Sequence, residues 1–229
     1  MKELLNTKIA KIWGENIKIS SEIPLSYTLL LIFGTLLNLI RGGIKSVGFG
    51  KKEGAVFIGR HVTLRMKQKI YTGSKVRFED GCQIMALSSE GFHFGNNVKI
   101  GPNSKMMSGS IHKLGKGVSI GNNCFFSDYT FFGAAGGIKI GDNIISGQNV
   151  RFHSENHNFL DNNKLIREQG VSNIGIELGD DIWIGAGAVF LDGSKIGNHC
   201  VVAANAVVQK EFPDNCVIGG VPAKLLKML

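Results

Sequence analysis

Residues 178–197 read LGDDIWIGAGAVFLDGSKIG. An aliphatic residue followed by glycine recurs at Leu178-Gly179, Ile184-Gly185 and Ile196-Gly197, in steps of six and twelve. Helices repeat near 3.6 residues and strands near 2, so neither explains this period. Six residues make one short strand plus one turn, and the repeat is itself the structural unit.

The period extends outward from this stretch. Ile58, Leu64, Ile70, Val76 and Cys82 are six apart, Phe94, Ile100 and Met106 continue after a break, and Leu114, Ile120, Phe126 and Phe132 form the next run. Two extra residues at Gly136-Gly137 reset the phase to Ile140, Ser146 and Phe152. Leu178, Ile184, Phe190, Ile196, Val202 and Val208 close the series. A second small or aliphatic series runs two positions earlier, at Ile176, Ile182, Ala188, Ser194, Cys200 and Ala206. Residues i and i+2 of a strand share a face, so both series point into one core. The GDN, GNN and GDD triplets beside them are turn chemistry tolerant of positive φ. Three sixes make a triangular coil of about 18 residues, and stacked coils make a solenoid. An ordinary sandwich, with turns every 8–12 residues, would not keep so strict a six.

The composition fits this all-β reading. The chain has 229 residues, which suits one large domain or one domain with an appendage, and 43% are hydrophobic, enough for a sizeable core. Its 31 glycines are roughly twice the average usage of about 7% and serve turns. The four cysteines, at 82, 124, 200 and 216, form no CxxC pair and no metal-ligand spacing. They are predicted to be small buried core residues in a reducing cytoplasm, and no cleavable signal peptide is expected. The net charge of +8 suits nucleic acid, anionic lipid or a phosphorylated ligand. No nucleic-acid motif accompanies it, which leaves a small phosphorylated ligand or a membrane surface.

Three segments are expected: an N-terminal segment over 1–55, a solenoid over 56–220 and a tail over 221–229. Residues 8–20 (KIAKIWGENIKIS) alternate in places, as an extended segment or a short helix would. From Ile23 to Arg41 there is no charge until the arginine, a stretch of 18 residues expected to be an apolar helix over about 23–40. That length is at the lower edge of the ~18–20 residues that span a bilayer. Three placements are open: packed on protein, lying in a membrane interface, or spanning. Arg41, Lys45, Lys51 and Lys52 follow, as a basic flank for an anionic leaflet or as a solvated linker.

The one long interruption is HSENHNFLDNNKLIREQGVSNIG, 153–175. Loops longer than ~12–15 residues within a compact domain are usually functional or disordered. This one carries His153 and His157, with Glu155 and Asn156 between them. A neutral imidazole can take the proton of an attacking hydroxyl near neutral pH, and backbone N–H groups can stabilise the resulting oxyanion.

The hexad series, this loop and the C-terminal stretch VVQKEFPDNCVIGGVPAKLLK together resemble the hexapeptide-repeat acyltransferase family. The resemblance covers about three quarters of the chain. It implies a left-handed parallel β-helix, acetyl-coenzyme A as cosubstrate without a metal, and a homotrimer with active sites between subunits. Val150 opens the strand VRFHSENH, and the seventh residue on, His157, matches the family's catalytic histidine, with His153 as understudy. On the cofactor side, Trp183 matches an aromatic near the cofactor or loop, and Ala186 and Ala204 match small positions beside the pantetheine arm. Gln209 and Lys210 match a polar-basic pair, and Lys224 and Lys227 match basic residues that meet the nucleotide phosphates.

The acceptor side departs from the sugar acetyltransferases of the family. Ala135 stands where they carry a sugar-binding carboxylate, with Asp128 as a weak substitute, and an apolar helix replaces their N-terminal domain. The pattern looks more like enzymes that O-acetylate sugars of bacterial capsule, O-antigen or exopolysaccharide, whose acceptors are often lipid-borne. Peripheral contact with the inner face of a membrane is the matching expectation. Other readings on this fold are acetylation of a free sugar or antibiotic, a zinc carbonic anhydrase with a HxxxxH spacing (here His153 and His157 give HxxxH), and a scaffold solenoid.

Overall fold

The computed structural model describes residue 20 and residues 22–229. The alternating stretch at 8–19 lies outside the described residues. The helix runs over Leu25–Lys45, five residues beyond its expected end, and Gly42 sets how closely it docks. A Cβ on Gly42 would sit 1.7 Å from the carbonyl oxygen of Val56, so only glycine lets the helix meet the first coil. Arg41 Nε donates to Ile58 O (3.0 Å) and Lys45 Nζ to Val62 O (2.9 Å), which ties the last turns to the same coil.

Three parallel sheets then wind into a solenoid. The first sheet begins with Lys51–Lys52 and Ile70–Thr72 and ends with Lys195–Ile196 and Glu211–Phe212. The second runs from Val56–Ile58 to Cys216–Gly219, and the third from Thr63–Arg65 to Val207–Val208. The prediction of stacked hexads holds in detail. Strands Ile138–Ile140, Ile176–Leu178 and Ile182–Ile184 each bury their outer residues and expose the middle one. Phe132, Phe152 and Phe190 stack through successive coils at 5.0 and 4.8 Å between centroids, making an aromatic column along the axis. All four cysteines are buried and free, as expected.

A polar ladder runs along the corner between the first and second sheets. Asn122 Oδ1 accepts the Asn96 N–H, Asp142 Oδ1 that of Asn122, Asp180 Oδ1 that of Asp142, Asn198 Oδ1 that of Asp180 and Asp214 Oδ1 that of Asn198, at 2.6–2.8 Å. Asn96, Asn122, Asp142 and Asp180 belong to the GNN, GDN and GDD turns, and Asn198 and Asp214 to the matching GNH and PDN turns. Each side chain satisfies a backbone donor that its neighbouring coil would otherwise leave open.

Coil length varies where chain is extruded. Ile182 pairs with Cys200, 18 residues on, whereas Ile144 pairs with Ile182, 38 on. The ladder residues Asp142 and Asp180 hydrogen-bond directly across that insertion, so the solenoid absorbs it without a break. A second insertion corrects the sequence reading. Lys105 pairs with Phe131, 26 residues on, so the coil carries eight extra residues. They form a hairpin closed by a bridge between Gly109 and Leu114. Leu114 was expected in the inward series; it sits on this hairpin, 54% exposed. The expected C-terminal tail is also ordered: Lys224–Met228 folds back antiparallel onto Cys216–Gly219.

Candidate active site

The histidine loop is a built structure. It leaves the third sheet after the strand Arg151–His153 and returns to the first at Ile176. Asn156–His157 pairs antiparallel with Val171–Ser172, placing His157 opposite Val171. Gln169 ties the tip, donating to Asp161 O (2.8 Å) and Lys164 O (3.0 Å) and accepting from Asp161 N (3.0 Å).

The two stems are held separately. Ser154 Oγ donates to Gly133 O (2.9 Å) and accepts from Gly136 N (3.0 Å), fixing the outgoing strand. Asp192 is almost wholly buried and fixes the returning one. Its carboxylate accepts from Ser172 Oγ (3.0 Å), Ile174 N (3.0 Å) and Gly175 N (2.7 Å). Sequence reasoning missed Asp192, which reads there as one more turn residue in FLDGS. An aspartate at a strand end facing an excised loop was the available signal.

The loop and the Gly109–Leu114 hairpin face each other across Gly133, Ala134 and Ala135, and enclose a recess of about 390 Å³. His153 and His157 both line it, with Glu155 and Asn173 from the loop and Lys113 from the hairpin. With its amide oriented to satisfy its neighbours, Asn173 donates to Glu155 Oε2 (3.2 Å) and accepts from Lys113 Nζ (3.3 Å), bridging the two walls. Lys113 and Asn173 were not singled out by sequence. The signal for the hairpin was the step of eight from Met106 to Leu114.

The two histidines differ in environment. His153 is half-buried, its ring 5.1 Å from that of Phe131. Burial, and to a smaller degree the charge of Arg151, lowers its pKa below 6.5, so it stays neutral around neutral pH. His157 is exposed at the rim, and among the described residues its ring has no hydrogen-bond partner. Neither Glu155 nor Asn156 orients it; Glu155 instead faces Asn173.

The expected cofactor residues gather elsewhere. Ala186 and Ala204 lie in successive turns at the corner between the second and third sheets, joined by Asn205 N donating to Ala186 O (2.9 Å). A Cβ on Gly147 would meet Ala186 N at 2.6 Å, and one on Gly185 would meet Ala204 N at 2.4 Å. At Gly147, Gly185, Ala186 and Ala204 the corner thus carries only small residues in close contact. Gln209, Lys210, Lys224 and Lys227 are exposed at the C-terminal end, with Lys210 Nζ 5.4 Å from the Phe212 ring centroid. Asp128 sits at this same corner, its carbonyl accepting from Asn149 N (3.0 Å), and does not line the histidine recess. Three-residue strands of the third sheet separate the corner from the histidine loop, about 10 Å at roughly 3.3 Å per residue.

Trp183 lies outside both sets. It faces outward on the second sheet in a ladder pairing Phe125 with Ile145, Ile145 with Trp183, Trp183 with Val201 and Val201 with Val217. Ile145 and Trp183 are 60% and 59% exposed. The first sheet shows a charged and polar ladder instead, Ser119, Lys139, Glu177, Lys195 and Glu211. Among the described residues no group of three or more His, Cys, Asp or Glu could hold a metal ion.

Comparison with known proteins places these features. The family described as "Bacterial transferase hexapeptide (six repeats)" matches residues 175–210. The chain is 27% identical over 135 residues to the galactoside O-acetyltransferase of Escherichia coli, covering 56% of this chain and 62% of that one. It is 27% identical over 143 residues, 59% of this chain and 70% of the other, to WbbJ of Escherichia coli, whose name assigns it provisionally to O-acetyl transfer in lipopolysaccharide biosynthesis. The chain spans about half the length of several curated relatives it matches. Among solved structures, AntD, an N-acyltransferase from Bacillus cereus in complex with dTDP and 3-hydroxybutyryl-CoA, superposes with a TM-score of 0.54 over 82% of this chain and 87% of that one. At 18% identity, that likeness shows the shared solenoid fold. Residues 175–210 thus carry the hexapeptide repeat of bacterial transferases, and the six-residue rungs and three parallel sheets continue the same architecture through the rest of the solenoid.

Proposed function

We propose that the protein is an acetyl-coenzyme A-dependent O-acetyltransferase, with a sugar hydroxyl of a bacterial surface polysaccharide or its precursor as acceptor. The carrying observation is the recess between hairpin and loop, with His157 at its rim and without a hydrogen-bond partner among the described residues. In this reading the His157 imidazole takes the acceptor's hydroxyl proton as its oxygen attacks the thioester carbonyl. The C–O bond forms, the tetrahedral intermediate collapses, the C–S bond breaks, and the imidazolium returns the proton to the departing thiolate. Neutral His153 adds no positive charge of its own to the recess beside that base.

The small-residue corner at Gly147, Gly185, Ala186 and Ala204 suits a slim pantetheine arm, and the exposed Lys210, Lys224 and Lys227 suit its phosphates. One chain keeps that corner and the histidine loop on opposite sides of the third sheet. A second chain set alongside brings the corner of one against the loop of the other. The apolar ladder through Ile145 and Trp183 supplies a surface that such packing would bury, while the charged first sheet stays in solvent. A head-to-tail contact of this kind closes into a ring, and three copies are the proposed assembly. The proposed site of action is the cytoplasm at the inner membrane face.

The test is thiol release from acetyl-coenzyme A against free and lipid-linked oligosaccharides. Glycan-dependent turnover that falls about 10²–10⁴-fold in His157→Ala, with the melting temperature unchanged, is expected. Equal turnover in His157→Ala would remove the base assignment. No acetyl-coenzyme A binding by folded protein would remove the activity.

A further inference from the structure

The helix Leu25–Lys45 is amphipathic in the opposite sense to a helix folded in water. Its two buried residues are Thr28 and Gly42, and the half-buried Leu31, Ile32, Thr35 and Asn38 continue that stripe at three- and four-residue spacing. Leu30, Phe33, Leu36, Ile40 and Ile44 point outward and are exposed. Such a helix normally turns its large apolar side chains inward. Small or polar residues at the two most buried positions, with Leu, Ile and Phe at the most exposed ones, is an arrangement found where lipid is the solvent. The helix is also long and apolar enough to cross a membrane.

Charge is concentrated beside it. Residues 41–80, the end of the helix and the first coils, hold ten Lys and Arg against Glu53, Glu79 and Asp80, a net +7 of the whole chain's +8. Lys51, Lys52, Arg60 and Arg65 are exposed, with Lys51 paired to Glu53 and Arg60 to Asp80. We infer that the partner of the exposed helix face is an anionic lipid bilayer. The helix lies flat in its interface, and the basic first coils rest on the headgroups. A spanning helix is disfavoured because Gly42 packs on Val56, and Arg41 and Lys45 tie the last turns to the first coil.

This pose sets the acceptor's reach. The third sheet steps from Thr63–Arg65 through 83–85, 105–107 and 131–133 to Arg151–His153. Four steps of about 4.8 Å put His153 roughly 19 Å from the first coil. Resting on the acyl-transfer reading, the acceptor is a lipid-linked saccharide whose reacting hydroxyl lies a few sugars beyond its lipid phosphate.

Full-length protein is floated with vesicles of phosphatidylcholine, alone or mixed equally with phosphatidylglycerol, without acetyl-coenzyme A. Binding is expected to the anionic vesicles, to weaken with salt, and to fall about tenfold or more in Lys51→Glu with Lys52→Glu. Leu30→Glu with Phe33→Glu and Ile40→Glu is expected to abolish it, with melting temperature and acetyl transfer to a soluble acceptor unchanged. That activity separates failure of this inference from failure of the enzymatic reading. Energy transfer to acceptor lipids should be stronger from a dye at Arg65→Cys than at Ile111→Cys, and weakest at Asn198→Cys. Absent binding, carbonate-resistant insertion, a reversed dye order, or helix-mediated pairing of copies in its place would each overturn it.

Discussion

Asp192 is the residue on which the candidate site depends without being part of its chemistry. Its carboxylate holds the returning stem of the histidine loop through Ser172 Oγ, Ile174 N and Gly175 N. Asp192→Ala removes all three acceptors. The Ser172 hydroxyl can rotate to another partner, but the two backbone donors cannot. Each bond to a charged acceptor is worth about 1.5–3 kcal/mol, and partial access of water at this stem recovers some of that. A loss of about 2–4 kcal/mol is expected, enough to lower the melting temperature without unfolding a domain of ordinary stability. Asp192→Asn keeps one oxygen and turns the other into a donor facing donors, for roughly half that cost.

The catalytic consequence differs from the structural one. Val171, the cross-strand partner of His157, lies three residues before Ile174, so loosening the stem displaces the imidazole. A displacement of about 1 Å costs on the order of 100-fold in turnover. Ala186 and Ala204 lie at another corner of the same chain, so the KM for acetyl-coenzyme A should change much less than kcat. Steady-state kinetics with both substrates, thermal unfolding, and proteolysis within 158–170 check this together. A variant that melts lower yet keeps kcat within twofold of the parent would refute Asp192 as the residue that positions His157.

Two further outcomes follow from the same geometry. Ala204→Leu puts a branched side chain on the small-residue corner at an exposed turn, and should raise the KM for acetyl-coenzyme A roughly tenfold with no change in melting temperature; an unchanged KM would move the pantetheine track elsewhere. His153 has its pKa lowered in the fold, so its contribution to stability is present above its unfolded value of 6.5 and is lost as pH falls below that, because the unfolded chain binds the proton first. Melting temperature should therefore drop more steeply below pH 6.5 in the parent than in His153→Gln, and parallel curves would contradict the burial-driven shift.

The period of six was decided by the sequence alone, because a solenoid coil touches only its neighbours and each hexad carries its own inward residues and turn. Ile140, Ile176, Ile182 and Ile184 could be assigned to the core from spacing, and the Asn/Asp triplets to turns. His157 was reachable for the same reason: it stands a fixed count from Val150, inside a visible interruption. Relations between coils were not legible. The hairpin at Gly109–Leu114 hid behind a step of eight that ended on a leucine, and its Lys113 meets Asn173 sixty residues later. Asp192 looks like any turn aspartate until Gly175 N is placed 2.7 Å from it. The apolar ladder through Phe125, Ile145, Trp183 and Val201 is spread over 77 residues of chain and becomes one stripe when the rungs come into register. Hydrophobic period reports which way a side chain points from its own backbone. Which distant side chains then share a wall depends on how many residues each coil extrudes, and only the stacked structure fixes that.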